Sequence, residues 1–237
     1  MTRIPRRPRL RGALLAAVLA VATAGAGVPD PPAPAVFVTS DSAVVHGDLY
    51  GSGPRAVVLA HGGRFDRKSW EPQARILAAN GFRALAIDFR GYGESRGPGD
   101  SDPLSAPLEN DILAAVRYLR ENGAASVSVV GGSMGGSAAA RATMQCRPGE
   151  IERVVLLGAP VRVTPEKMTG RKLFICARED STGDGTRRLV RIRAEFEMVP
   201  EPRELVVLDG AAHAQELFRT TQGDRVMREI LRFLTAP

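Results

Sequence analysis

The chain has 237 residues, 44% hydrophobic and 24% charged, which suits one globular domain with a sizeable core. Its formal charge is +6, but five of its 32 basic residues are Arg3, Arg6, Arg7, Arg9 and Arg11, which leaves 27 basic against 26 acidic residues elsewhere. The body is therefore close to neutral, and the electrostatic basis for a nucleic-acid partner is absent.

In chain order, the Arg-rich start leads into the apolar run Gly12–Val21 and then small residues. This pattern predicts a secretory signal peptide over 1–24, with Ala22-Thr23-Ala24 as the cleavage site and Ala24-Gly25-Ala26 as an alternative. The run is short for a span of about 20 residues. Export to the periplasm or medium without stable membrane insertion is expected, with an uncleaved anchor as the alternative. The Pro-rich stretch 25–35 reads as an extended linker, and the folded domain is expected over 36–237.

From Val36 onward, strand-like and helix-like segments alternate. Val36–Val38 and Val44–Tyr50 predict two early antiparallel strands. Ala56–Ala60 is a continuous apolar run, as a strand buried on both faces requires. Trp70–Asn80 has helical periodicity and stops at Gly81. Strands follow over Arg83–Ile87, Val127–Val130, Val154–Leu157, Leu173–Ala177 and Leu205–Leu208. Helices are expected over Leu108–Asn122, Met134–Cys146, Thr186–Val199 and Gln215–Leu234. The alternation predicts a doubly wound α/β fold: a mainly parallel sheet with helices on both faces. Functional residues should then gather on loops at the carboxyl ends of the strands. Cys146 and Cys176 fall at different heights along their elements and read as two buried, unpaired thiols.

Gly131-Gly132-Ser133-Met134-Gly135 reads G-x-S-x-G. It follows a β-branched run and precedes an Ala-rich stretch, the strand–turn–helix context in which the motif presents an exposed nucleophile. A serine hydroxyl needs a base. Of the histidines His46, His61 and His213, only His213 lies on a Gly/Ala-rich loop downstream of the serine at a strand's carboxyl end. The base needs a carboxylate. Asp180, where a strand runs into an acidic loop, is the first candidate and Asp184 the second; Glu179 and Asp209 are less well placed. Gly63, after a strand end, and Met134, after the serine, are the expected backbone donors to an oxyanion. His61 more naturally props its loop than takes a proton. No metal-ligand cluster or cofactor motif appears, so no cofactor is expected.

Together, His61-Gly62-Gly63, Asp88–Ser95, the Ser133 pentapeptide, the acidic loop at Asp180 and Gly210-Ala211-Ala212-His213 resemble the α/β-hydrolase family over nearly all of 36–237. The resemblance is to small bacterial serine hydrolases of the dienelactone-hydrolase-like or esterase kind. It implies Ser133, Asp180 and His213 as the catalytic set and Asp88–Ser95 as a structural rim segment. Dienelactone hydrolases carry a cysteine where this chain has Ser133, and dehalogenases and many epoxide hydrolases carry an aspartate. Only about thirteen residues separate the strand ending near Gly158 from the next, too few for a sizeable lid domain. The expected activity is hydrolysis of small to medium carboxylic esters, with a small-molecule acyl substrate as partner. Acyl transfer, thioester or amide cleavage, and an inert binding protein on the same fold are the alternatives. Oligomeric state is not indicated.

Overall fold

A computed structural model describes Met1 and residues 31–236. The expected signal segment and most of the linker lie outside the described residues. Among the described residues, eight strands form one sheet: β1 (Ala33–Val38), β2 (Val44–Tyr50), β3 (Arg55–Ala60), β4 (Phe82–Ile87), β5 (Ser126–Gly132), β6 (Arg153–Leu157), β7 (Arg171–Ala177) and β8 (Arg203–Leu208). Their spatial order is β1-β2-β4-β3-β5-β6-β7-β8. The pairings β1–β2 and β2–β4 are antiparallel, and every later pairing is parallel.

The central strands are apolar on both faces because helices cover both. In β3, Ala56, Val58 and Ala60 join one core, while Val57 and Leu59 join the other. The first core is completed by α2 (Leu108–Glu121), α3 (Met134–Gln145) and α4 (Arg188–Met198), through side chains such as Ile112, Ala138 and Leu189. The second is completed by α1 (Glu71–Ala79) and α5 (Gly223–Thr235), through Leu77, Val226, Ile230 and Phe233. From β3 the chain goes to one side for β4 and to the other for β5. The crevice beyond β3 and β5 is therefore the topological switch point, where doubly wound sheets bind ligands.

Several elements differ from the sequence expectation. Strand β1 begins at Ala33, inside the stretch read as linker, with Ala33 opposite Leu49. Pro34 is tolerated because β1 is an edge strand, where a missing N–H breaks no ladder on the open side. The expected helix Gln215–Leu234 is broken into a 3-10 turn, Ala214–Arg219, and α5. The break lies where Gly223 crosses the Phe218 carbonyl; a β-carbon at Gly223 would sit 2.4 Å from that oxygen. The expected helix from Thr186 starts at Arg188, because the Thr182 N–H donates to the Thr186 carbonyl and closes a turn first. The two thiols are unpaired, as expected, but Cys146 is only half-buried while Cys176 is buried.

No large insertion interrupts 158–170, which holds only a single 3-10 turn, Pro165–Lys167. Among the described residues, no helix is long and apolar enough to cross a membrane.

Candidate active site

The turn after β5 is shaped by close approach. Ser133 has φ +50° and ψ −113°, a region that side chains rarely occupy and that costs about 1–3 kcal/mol. The surrounding glycines make this turn possible. A β-carbon at Gly131 would lie 2.5 Å from the Gly135 carbonyl oxygen; at Gly135, 2.4 Å from that of Ala60; at Gly136, 2.4 Å from the Ala159 β-carbon. The Ser133 N–H donates to the Leu157 carbonyl (2.9 Å), which anchors the turn on β6. The result is a half-buried serine at the amino end of α3.

The structure brings Ser133, His213 and Asp180 together. His213 Nε2 lies 2.8 Å from Ser133 Oγ, and Nδ1 lies 2.8 Å from Asp180 Oδ2. A carboxylate only accepts, so Nδ1 carries the proton and Nε2 is left to accept from the serine hydroxyl. The His213 side chain is 32% exposed and that of Asp180 only 1%. The ring thus meets solvent on one side while its partner acid is held in the interior.

Gly158 and Arg188 complete this corner, and neither was singled out by sequence reasoning. Gly158 has φ +56°, and a β-carbon there would come within 3.1 Å of Asp180 Oδ2, His213 Nδ1 and Ala214 N. The His–Asp pair therefore rests directly on a glycine backbone. Arg188 places Nε 3.2 Å from Asp180 Oδ1, and its N–H donates to the Asp180 carbonyl (2.9 Å). The Nε–Oδ1 contact is an ion pair without hydrogen-bond alignment.

The other carboxylates considered are elsewhere engaged. Asp184 is exposed and accepts from Thr182 Oγ1 and from the Thr186 N–H. Asp209 is exposed beside Arg178 at 3.7 Å. His46 sits on β2 near Glu94, at 4.0 Å. His61 is fully buried: its Nδ1 lies 2.9 Å from the Gly62 carbonyl, and the Phe89 N–H donates to its Nε2 (3.2 Å). With both ring nitrogens taken by backbone, His61 is the prop that its sequence position suggested. Burial pushes its pKa below the ordinary histidine value.

Gly63 and Met134 both line the cavity in front of Ser133. Neither backbone N–H donates to another described residue, so both remain available to an incoming oxygen. The Gly63 loop is held from two sides. Tyr92 Oη donates to the Gly63 carbonyl (3.0 Å), and the Gly62 N–H donates to Gln215 Oε1 (2.7 Å). Gln215 is buried, and its Nε2 donates to Ser69 Oγ (2.6 Å). Its only sequence signal was its place two residues after His213. The Asp88–Ser95 segment is structural, as expected. Buried Asp88 pairs with Arg67, and buried Arg90 reaches Asp41 and Asp111.

The cavity has a volume of about 640 Å³ and opens over Ser133 and His213. Among the described residues, no group of three His, Cys, Asp or Glu side chains is placed to hold a metal ion.

A strained serine turn at the switch point of a doubly wound sheet, met by a histidine from the last strand's loop, is the arrangement of hydrolase-type α/β proteins. Residues 57–235 match the model of the alpha/beta hydrolase family, and the chain belongs to that family. It is 35% identical over 136 residues to a non-heme haloperoxidase of Rhodococcus erythropolis, covering 55% of this chain and 47% of that protein. It is 29% identical over 145 residues to an epoxide hydrolase of Caballeronia sordidicola, covering 60% of this chain and 42% of that one. The chain thus spans about half the length of the curated relatives it matches. Its backbone resembles that of an esterase from Pyrococcus furiosus, with TM-score 0.71, 19% identity and coverage of 86% and 93% of the two chains. It also resembles an esterase from Exiguobacterium antarcticum, with TM-score 0.68, 15% identity and coverage of 85% and 99%. At these identities the structural likeness speaks to the fold alone.

Proposed function

We propose that this chain is a serine hydrolase that cleaves carboxylic esters of small to medium acyl groups. The observation that carries the reading is the unbroken contact chain from Asp180 through His213 to Ser133 at the floor of an open cavity. Ser133 Oγ attacks the ester carbonyl carbon while His213 Nε2 takes the hydroxyl proton. Asp180 holds the Nδ1–H tautomer and stabilises the imidazolium. The carbonyl oxygen becomes an oxyanion facing the Gly63 and Met134 N–H groups. Collapse breaks the bond to the alcohol, which leaves with the proton from His213, and Ser133 is left acylated. Water then attacks with His213 again as base, releasing the acid and restoring the hydroxyl.

A serine nucleophile also bears on the epoxide-hydrolase likeness. Opening an epoxide with Ser133 would leave an ether, which water at His213 has no carbonyl to attack. Carboxylic esters give an acyl-serine that it can hydrolyse. The reading includes export, supported by the Arg-rich start, apolar run and small residues over 1–24.

The test is a chain-length series of p-nitrophenyl esters, from acetate to palmitate, with the released acid identified. Short and medium chains should turn over fastest, because no lid domain among the described residues offers apolar cover for a long chain. Turnover should fall about 10⁴–10⁶-fold in Ser133→Ala. Faster cleavage of palmitate, or ester turnover that survives Ser133→Ala, contradicts the reading.

A further inference from the structure

The charge around the cavity is not that of the chain. The body is near neutral, yet Arg64, Arg141, Arg162 and Arg188 line the cavity and, among the described residues, no acidic side chain does. Two of the four are neutralised from behind. Arg141 Nε donates to Glu109 Oε2 (2.8 Å), and Arg188 faces Asp180. Arg64 and Arg162 are exposed, and their guanidinium groups have no partner among the described residues.

Arg162 is held in place by its backbone. It has φ +74°, in the left-handed region that non-glycine residues avoid. A single carboxylate fixes it there: Glu195 Oε2 accepts from the Val161 N–H (2.6 Å) and Oε1 from the Arg162 N–H (3.2 Å). Glu195 is itself fixed by Arg191 Nε (2.7 Å). Arg162 also borders a second cavity of about 240 Å³, which shares Arg188 with the first. That second wall also carries Asp184, whose carboxylate accepts from Thr182 and Thr186 and keeps its charge; the wall without an acid, among the described residues, is that of the first cavity. A concave wall with one sign of charge raises the local concentration of the opposite ion. A guanidinium fork matches a carboxylate in two-point contact.

Building on the ester-hydrolase reading, we propose that the preferred substrate carries an anionic carboxylate beside its scissile ester, and that Arg162, with Arg64, recognises it. The carboxylate stays intact and sets the orientation of the ester over Ser133; the bond broken is the ester C–O bond described above. An acyl-side or an alcohol-side carboxylate offers the same chemistry to these arginines, and the test separates them.

The measurement is calorimetric binding to Ser133→Ala, which holds an ester without turning it over. The three ligands are monoethyl glutarate (acyl-side carboxylate), 3-acetoxypropanoate (alcohol-side carboxylate) and neutral ethyl pentanoate. At least one charged ester should bind about tenfold or more tightly than the neutral one. Adding Arg162→Gln to Ser133→Ala should remove most of that advantage, and 0.5 M salt should reduce it. Equal or tighter binding of the neutral ester overturns the proposal, as does an advantage unchanged by Arg162→Gln and Arg64→Gln. Because binding is read without turnover, the result stands even if wild-type protein cleaves none of the three. Failure of cleavage would count against the ester-hydrolase reading alone.

Discussion

Two histidines sit beyond strand ends in this molecule, each with an aspartate near by, and they are held in opposite ways. His61, after β3, lies 4.0 Å from Asp88, and both its nitrogens are used by backbone groups. Its ring is packed edge-on against Phe89 and Tyr92. His213, beyond β8, has one nitrogen on a buried carboxylate and the other on a hydroxyl that faces the cavity. The difference lies in what the second nitrogen meets. A backbone N–H fixes a neutral ring in place, whereas a serine hydroxyl gives the ring a proton to move.

The sharpest test of this contrast exchanges roles between the two rings. His213→Ala should lower ester turnover about 10⁴–10⁶-fold and leave the melting temperature nearly unchanged. His61→Phe should do the reverse. It orphans the buried Phe89 N–H, a loss of about 1–3 kcal/mol, while turnover per folded molecule falls far less than in His213→Ala. Thermal melts and ester kinetics on both variants check this. His61 also predicts a pH dependence of stability. The pKa of His61 is depressed in the folded state, so the unfolded chain takes up the proton first as pH falls from about 6.5. Stability contributed by the neutral ring is present above that pH and is lost on acidification until the folded ring itself protonates, at up to about 1.4 kcal/mol per pH unit. Urea unfolding between pH 7.5 and 5 should show a shallower acid-side loss in His61→Phe than in wild type.

A smaller effect is expected beneath the His213–Asp180 pair. Gly158→Ala inserts a methyl group at 3.1 Å from both side chains, in a backbone conformation that suits glycine. It should lower kcat about 10–100-fold through misplacement of His213, with KM little altered. Steady-state kinetics would separate the two terms, and an unchanged kcat would show that the pair does not depend on that close seat.

Much of this contrast was legible in the residues. The strand–helix alternation encodes the sheet, and the strand-end positions of Ser133, Asp180 and His213 mark them in the sequence itself. The prop role of His61 followed from its place upstream of the serine. Other features depended on contacts that no local pattern encodes. Gly158 looks like an ordinary strand-end glycine until β7 and β8 bring Asp180 and His213 onto it. Gln215 sits inside an apparently continuous helical pattern, and its long-range bonds to the Gly62 N–H and Ser69 leave no mark in that pattern. Arg64, Arg141, Arg162 and Arg188 come from four separate segments, so their convergence on one cavity is invisible to composition, which reports a nearly neutral body. The start of β1 at Ala33 is hidden in the sequence because Pro-rich composition signals an extended chain equally well on a sheet edge and in a linker.

The claim on which the rest depends is that His213 makes Ser133 the nucleophile. Reaction with a fluorophosphonate, followed by peptide mass mapping in wild type and His213→Ala, tests it most directly. The account predicts one adduct, on the peptide containing Ser133, formed much more slowly in His213→Ala. An adduct on another residue, no adduct on folded wild type, or equal rates in the two proteins would contradict it.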